Sequence, residues 1–302
     1  MIAYPKSVHL CTSTICQYAC IFCNNPRGVI DKFTLSAETI KNILKDFDSL
    51  DFISIGGYGE LLLHPEFEKV IQFTKEKKFP FVFSTNGEAL TSDKQMILRE
   101  SLLKGINLSL NSLNPQIHYF LSGNKGNLKK VMENLKEFSK KPRTYSITIS
   151  MVVNRMNYKE LPDFIQLAHD LELDMVKFIP PVNNISYSDE FSLLNNQEEK
   201  DYLIKAYDLA KQLKVSVTGM QPHKTETTIY KKKPIVECKM PWIATFITGN
   251  TVVPCCYLSH YVVGNITETP FVDIWNSKKI QILRQAIMDG QNTYCKNCTE
   301  FE

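Results

Sequence analysis

Short apolar runs alternate with helix-patterned stretches over the first two thirds of the 302 residues, and this alternation restricts the fold more than any other feature. Strands are predicted at Val8–Leu10, Phe52–Ile55, Phe81–Ser84, Ile106–Leu110, Tyr145–Val153 and Met175–Ile179. A helical pattern follows each one. Ser36–Phe47 opens with a serine whose hydroxyl can accept an orphan backbone N–H. Pro65–Lys77 carries proline in its first turn, where no N–H is needed. Ser92–Leu103 runs towards Gly105, a stop signal, and Asn127–Lys140, Tyr158–Leu171 and Asn196–Leu213 complete the series. Strands joined through helices run parallel, with right-handed crossovers that place the helices on one outer side. Eight repeats close a TIM barrel; six predict an α/β fold whose core is an open, partial (βα)6 TIM barrel. In such barrels the chemistry sits in loops after the strand C-termini.

Past Val215–Thr218 the pattern changes. Thr225–Pro234 is polar, Lys-rich and aperiodic, and reads as a linker in which Lys231, Lys232 and Lys233 are solvated. The expected division is therefore 1–218 for the barrel and 219–302 for the linker and a small C-terminal domain. That end holds five of the nine cysteines and one helical pattern, Phe271–Asp289, which starts after Thr269-Pro270 and stops at Gly290.

No apolar run approaches the roughly 20 residues of a transmembrane helix, and the N-terminus lacks the basic and apolar segments of a signal peptide. The expectation is a soluble cytoplasmic protein with no membrane partner. Cysteines in an unexported chain point to metal thiolates, because reducing cytosol does not sustain disulfides. A net charge of +3 gives no reason to expect nucleic acid. Only five basic residues are arginine: Arg27, Arg99, Arg143, Arg155 and Arg284. Arginine grips planar anions in a fork that lysine cannot copy, so an arginine near the site carries weight.

Cys16, Cys20 and Cys23 form C-x3-C-x2-C in the loop after the first strand, on the side where chemistry is expected. A [4Fe–4S] cube has four iron corners, so three thiolates leave one iron open. Zinc is the alternative, although zinc sites favour C-x2-C pairs and four protein ligands. Written as CQYACIFC, with Phe22 before the third cysteine, the run resembles the signature of the radical S-adenosylmethionine (SAM) superfamily. The resemblance implies that the open iron takes the amino and carboxylate groups of SAM. The reduced cluster would then split SAM to methionine and a 5′-deoxyadenosyl radical, which abstracts hydrogen.

Other strand ends fit that resemblance. Gly59-Glu60, within GGYGELLLHPEF, is similar to the family's Gly-Gly-Glu-Pro segment, which meets the SAM amino group; Tyr58 and Leu61 depart from the pattern. Read alone, the segment is more readily a strand-to-helix turn with a solvated Glu; in register behind the cysteine triplet, the functional reading is favoured. Ser84-Thr85-Asn86-Gly87 is similar to the family's Thr-Asn-Gly turn. Ser109 and Asn111 share one side of the fourth strand, where family members hydrogen-bond the ribose or carboxylate of SAM. Ser150 is expected inside the barrel, with Val152 or Val153, here taken as Val153, packing on adenine. Each of these also reads as barrel lining.

The late cysteines can build a second metal site. CKMPWIATFITGNTVVPCC reads as two strands joined at Thr248–Thr251, which brings Cys238 and Cys255 together, and Cys295/Cys298 add a C-x2-C pair. Spacing alone fits zinc at least as well as a fully ligated [4Fe–4S] cluster. The run from Val252 to Arg284, followed by YCKNC, resembles the SPASM and twitch extensions of radical SAM enzymes. That resemblance implies one auxiliary [4Fe–4S] cluster held by Cys238, Cys255, Cys295 and Cys298. Cys256 is spare or exchanges with Cys255, and Cys11 is expected in the core. Family members often carry Gly where Asn250 stands beside Gly249; Asn tolerates a left-handed turn.

The expected reaction is oxidation of a small molecule (an alcohol, sugar or aminocyclitol), as in twitch-type dehydrogenases, with the auxiliary cluster accepting an electron. Such an oxidation also needs a proton acceptor or hydrogen-bonding group, for which Arg155 and Lys177 are candidates. Arg27 is a further candidate for facing SAM or substrate. A flavodoxin or ferredoxin is the expected reductase. Peptide maturation is the rival; the early triplet, with only a short strand ahead, weighs against a leader-guided peptide. A non-catalytic iron–sulfur or zinc protein is the remaining class, disfavoured by the Gly59-Glu60 loop.

Overall fold

The computed structural model describes residues 4–28, 31–45, 47, 49–181, 196–222, 238–255, 258 and 260–291. Seven strands pair in chain order and all run parallel: β1 (Ser7–Cys11), β2 (Phe52–Ile55), β3 (Phe81–Thr85), β4 (Leu103–Ser109), β5 (Ser146–Val152), β6 (Met175–Ile179) and β7 (Val217–Gly219). The run at Val215–Thr218 thus supplies a seventh parallel strand. β8 (Ala244–Thr248) lies parallel on the free side of β1; β9 (Thr251–Val253) and β10 (Gly264–Asn265) follow antiparallel. The order is β10-β9-β8-β1-β2-β3-β4-β5-β6-β7, with β10 and β7 at the two ends, so the sheet is open. The expected C-terminal hairpin exists, and it is built directly onto the barrel's first strand.

Alternation along the strands separates two environments. Val8, Leu10, Ile53, Ile55, Phe81, Phe83, Ile106, Leu108, Ile147, Ile149, Val176 and Phe178 are buried in one continuous core. Burying each is worth about 1.5–3 kcal/mol. The opposite face carries Ser54, Ser84, Asn107, Ser109, Thr148, Ser150 and Lys177, placed together by the parallel register. The inner face is therefore polar, and the core lies between the sheet and its outer helices.

Those helices are α1 (Ala37–Leu44), α2 (Phe67–Glu76), α3 (Ser92–Arg99), α4 (Pro115–Leu121), α5 (Leu128–Ser139), α6 (Leu161–Asp170) and α7 (Gln197–Leu213). Ser36, Asn127 and Asn196 cap α1, α5 and α7 by accepting N–H groups of Thr39, Lys130 and Glu199. α5 buries Leu128, Val131, Leu135 and Phe138, a 3-4-3 spacing that forms one stripe.

Four sequence expectations need correction. Pro65 lies ahead of α2, whose cap position is Glu66. α3 ends at Arg99, and Gly105 sits inside β4, where an added Cβ would lie 2.4 Å from Ser146 Oγ. Gly105 thus permits close approach of β5 and does not stop a helix. The segment Phe271–Asp289 is two helices, Phe271–Trp275 and Lys278–Met288, because Ser277 breaks off and caps the second. α4 was not anticipated: its seven residues are too few for periodicity, although Asn114-Pro115 is a start signal.

Candidate active site

Four strand-end loops meet around the cysteine triplet. Gly59 allows the first two to touch: an added Cβ would stand 2.3 Å from Ser13 O. Glu60 N–H donates to Ile15 O at 2.7 Å. Buried Asn25 donates to Thr14 O at 2.8 Å and Tyr58 O at 2.7 Å, tying both loops once more. The turn after β3 joins through Gln17 Nε2, which donates to Asn86 Oδ1 at 2.9 Å. The cysteine loop then rests on α4, with Ala19 N–H donating to Ser122 O and Ile21 N–H to Leu121 O. Tyr18 Oη donates to Glu88 Oε2 at 2.7 Å, anchoring the stretch between the first two cysteines.

These contacts enclose a cavity of about 280 Å³. Cys16, Cys20, Cys23, Gly59, Glu60, Ser84, Asn86, Ser109 and Asn111 all line it. Phe22, Tyr58, Thr85, His118, Leu121 and Ser122 line it too. The α4 contributors escaped the sequence reading because seven residues show no period, although Asn114-Pro115 marks the start of the helix.

Ser150, Val153, Arg155 and Lys177 are not among the cavity-lining residues. Register sets Ser150 beside Ser109 on one side and Lys177 on the other, so the three form a row on the inner face. Lys177 is exposed there. Val153 is buried in the core; Val152 instead shares the face of Ser150, because alternate residues share a face. Arg155 lies just beyond β5 with its Nε buried and without a partner among the described residues. The side chain of Arg27 lies outside the described residues. Cys11 is buried as expected, accepting Tyr58 N–H at 3.4 Å.

Electrostatics test whether the residues fit a cluster. Burial pushes the Cys16 thiol up to about 11, helped by the nearby charge of Glu60. Cys20 is pushed up to about 12 by burial and then by Cys16 and Cys23. Three thiolates cannot share this cavity without cationic compensation, which iron provides. Among the described residues no three His, Cys, Asp or Glu side chains close around a single metal ion. Cys16, Cys20 and Cys23 line one cavity, and a [4Fe–4S] cube takes three thiolates on three corners with one iron left open, so the donor set fits a cluster. Glu60 is buried and its pKa raised by burial, while N–H groups of Asn86 and Leu62 oppose the shift. A cationic partner would compensate that carboxylate.

At the other end, Cys238 and Cys255 pack in one cluster with Leu258, Leu283, Ile287 and Trp242. Gly249, at φ +57°, takes the left-handed turn position, relieving Asn250 of that role. Cys256, Cys295 and Cys298 lie outside the described residues.

The radical SAM superfamily model matches residues 10–168, just over half of the chain, and the chain belongs to that superfamily. An iron–sulfur cluster-binding SPASM domain matches residues 238–299. The two domains imply a SAM-binding [4Fe–4S] cluster and auxiliary iron–sulfur ligation. The tungsten-containing aldehyde ferredoxin oxidoreductase cofactor-modifying protein of Pyrococcus furiosus is 24% identical, over 97% of this chain and 87% of its own length. Mycofactocin maturase MftC of Mycolicibacterium smegmatis is 28% identical over 51% of this chain, which spans 39% of that relative. Among solved structures, Streptococcus suis SuiB bound to precursor peptide SuiA superimposes with a TM-score of 0.73 at 18% identity, covering 98% of this chain and 70% of SuiB. BtrN in complex with AdoMet and 2-DOIA gives 0.53 at 18% identity, covering 98% of this chain and 94% of BtrN. No helix among the described residues is long and apolar enough to cross a membrane.

Proposed function

We propose that this radical SAM protein modifies a peptide or protein substrate at an unactivated C–H bond. The observation that carries this reading is comparative. Each covering 98% of the chain, the peptide-bound SuiB structure gives a TM-score of 0.73 and BtrN 0.53. MftC, a maturase, adds support. The small-molecule oxidation expected from the sequence remains the second reading, favoured by a match to 94% of BtrN.

In the proposed site Cys16, Cys20 and Cys23 hold the cluster, which when loaded supplies reductive cleavage of SAM and the hydrogen-abstracting radical. Glu60 pairs with the SAM ammonium as a charge-assisted acceptor. Asn86, Ser84, Ser109 and Asn111 offer hydrogen bonds across the cavity. Ser150 and Lys177 extend this polar surface along the inner face, towards substrate amides or hydroxyls. Arg155, with a buried donor to satisfy, is a second substrate contact. Cys238, Cys255, Cys295 and Cys298 hold the auxiliary cluster. The strand-end loops and the sheet's inner face orient the reactants.

The test is anaerobic formation of 5′-deoxyadenosine by reconstituted, reduced protein with SAM and host-cell extract split by a size filter. Stimulation by the peptide fraction, lost in Cys20→Ala, supports the proposal. Stimulation by the small-molecule fraction alone replaces it with the oxidation. No product from an iron-loaded protein leaves a non-catalytic cluster protein.

A further inference from the structure

β4 and β5 hold parallel register as far as Ser109 opposite Ser150, and Leu110 N–H still donates to Ser150 O at 2.9 Å. Beyond that point side-chain amides join the strand ends. Val152 N–H donates to Asn111 Oδ1 at 2.9 Å. Asn157, fully buried, donates through Nδ2 to Asn111 O at 2.7 Å and to Val152 O at 2.9 Å. Its own Oδ1 accepts Asn154 N–H at 2.7 Å, so the amide is held at both ends. Asn154 Nδ2 adds a 3.1 Å bond to Val152 O.

An asparagine amide offers one acceptor oxygen and one donor nitrogen. A backbone N–H can only donate, so Asn111 must turn its oxygen towards Val152. Its Nδ2 is then left without a partner among the described residues, on a side chain that lines the cavity. Rotating the amide would set two donors against each other at Val152 and leave a buried N–H unsatisfied, a cost of about 1–3 kcal/mol. Asn157 maintains this arrangement by fixing the backbone carbonyls on both sides of the contact.

We propose that Asn157 is a positioning residue that locks Asn111 as a hydrogen-bond donor towards bound SAM. Asn111 accordingly recognises an acceptor atom of SAM, a carboxylate or ribose oxygen, and discriminates against a donor such as the ammonium. The proposal rests on reading this cavity as the SAM site.

The experiment is equilibrium dialysis of SAM against the iron-loaded, unreduced protein, where no turnover occurs, with melting temperatures measured in parallel. Asn111→Ala removes the hydrogen bond to SAM together with the acceptor for Val152 N–H and is expected to raise Kd about three- to tenfold, with a lower melting temperature. Asn111→Asp keeps an oxygen for Val152 N–H and turns a second, charged oxygen on the SAM acceptor. Its Kd is expected to rise at least about tenfold further, at an unchanged melting temperature. A purely structural role for Asn111 predicts no such ordering. Asn157→Ser releases the amide and is expected to raise Kd about threefold or more. Should that variant not fold, Asn154→Ala removes the bond to Val152 O while Asn157 stays, with the same direction expected. Asn111→Asp binding as tightly as Asn111→Ala, or tighter, overturns the donor assignment. An unchanged Kd in the folded Asn157 or Asn154 variant overturns the positioning role. Wild-type protein that takes up no SAM overturns both the proposal and the reading beneath it.

Discussion

Glu60 Oε2 accepts the backbone N–H of Asn86 at 2.8 Å, while its Oε1 accepts Leu62 N–H at 3.1 Å. A buried carboxylate at the end of one strand therefore fixes the turn after the next. The Thr85 side chain hydrogen-bonds the same carboxylate, so about one of its four lone-pair sites is left for a ligand. Glu60→Gln removes the charge and sets an NH2 against one of the two backbone N–H groups, so the Kd for SAM is expected to rise about tenfold to a hundredfold or more. Dialysis against the iron-loaded protein reads this directly. An unchanged Kd would remove Glu60 from the ammonium contact.

At Gly59 the cysteine loop and the loop after β2 come too close for a side chain. An added Cβ would meet Ser13 O at 2.3 Å and Ile15 O at 2.9 Å, both backbone atoms that cannot swing aside. Gly59→Ala is expected to cost about 1–3 kcal/mol, the usual range for overpacking, and to lower iron uptake because the displaced segment carries Cys16. Urea unfolding and iron content measure the two effects. Wild-type values for both would show that the loops adjust freely.

His64 links this loop to the helix layer. It is buried, with Nε2 2.9 Å from Leu35 O and Nδ1 accepting Glu66 N–H at 3.1 Å. Those bonds require a neutral ring, and burial holds its pKa below the ordinary value of 6.5. A depressed pKa in a base means that the unfolded chain binds the proton more readily. The stabilisation is present above the unfolded pKa and declines as pH falls below it. The urea midpoint should therefore drop as pH is lowered from about 7.5 to 5.5, and drop less in His64→Gln. Parallel slopes for the two proteins would exclude this role.

Arg284 holds the C-terminal helices together. Its Nε donates to Pro241 O at 2.9 Å and Nη1 to Trp275 O at 3.1 Å, with the guanidinium 4.5 Å over the Trp275 ring. Burial pulls its pKa down to about 10. Lysine keeps the charge and loses the fork and the stacking plane, so Arg284→Lys is expected to cost about 2 kcal/mol or more in urea unfolding. A loss no larger than that of an exposed Lys279→Arg control would show that the charge alone suffices.

Much of the site was legible because it recurs once per repeat. Cys16, Glu60, Asn86 and Ser109 each sit at or just beyond a strand end, and strand ends are located by short-range periodicity. His118 and Ser122 escaped because α4 is too short to show a period. Asn157 escaped because a fully buried asparagine in a loop looks like any turn former. The single helix expected over Phe271–Asp289 failed where the Ser277 hydroxyl outcompeted helical continuity.

The sequence by itself determined the alternating elements, the cysteine spacing and the loops that carry it, since these depend on interactions a few residues apart. Tertiary structure alone decided that β8 docks on β1 and which way the Asn111 amide points. Those outcomes depend on partners far along the chain: Val152 N–H stands 41 residues from the oxygen that accepts it. A hydrogen bond of that span has no periodic trace, and it is settled only when the strand ends meet.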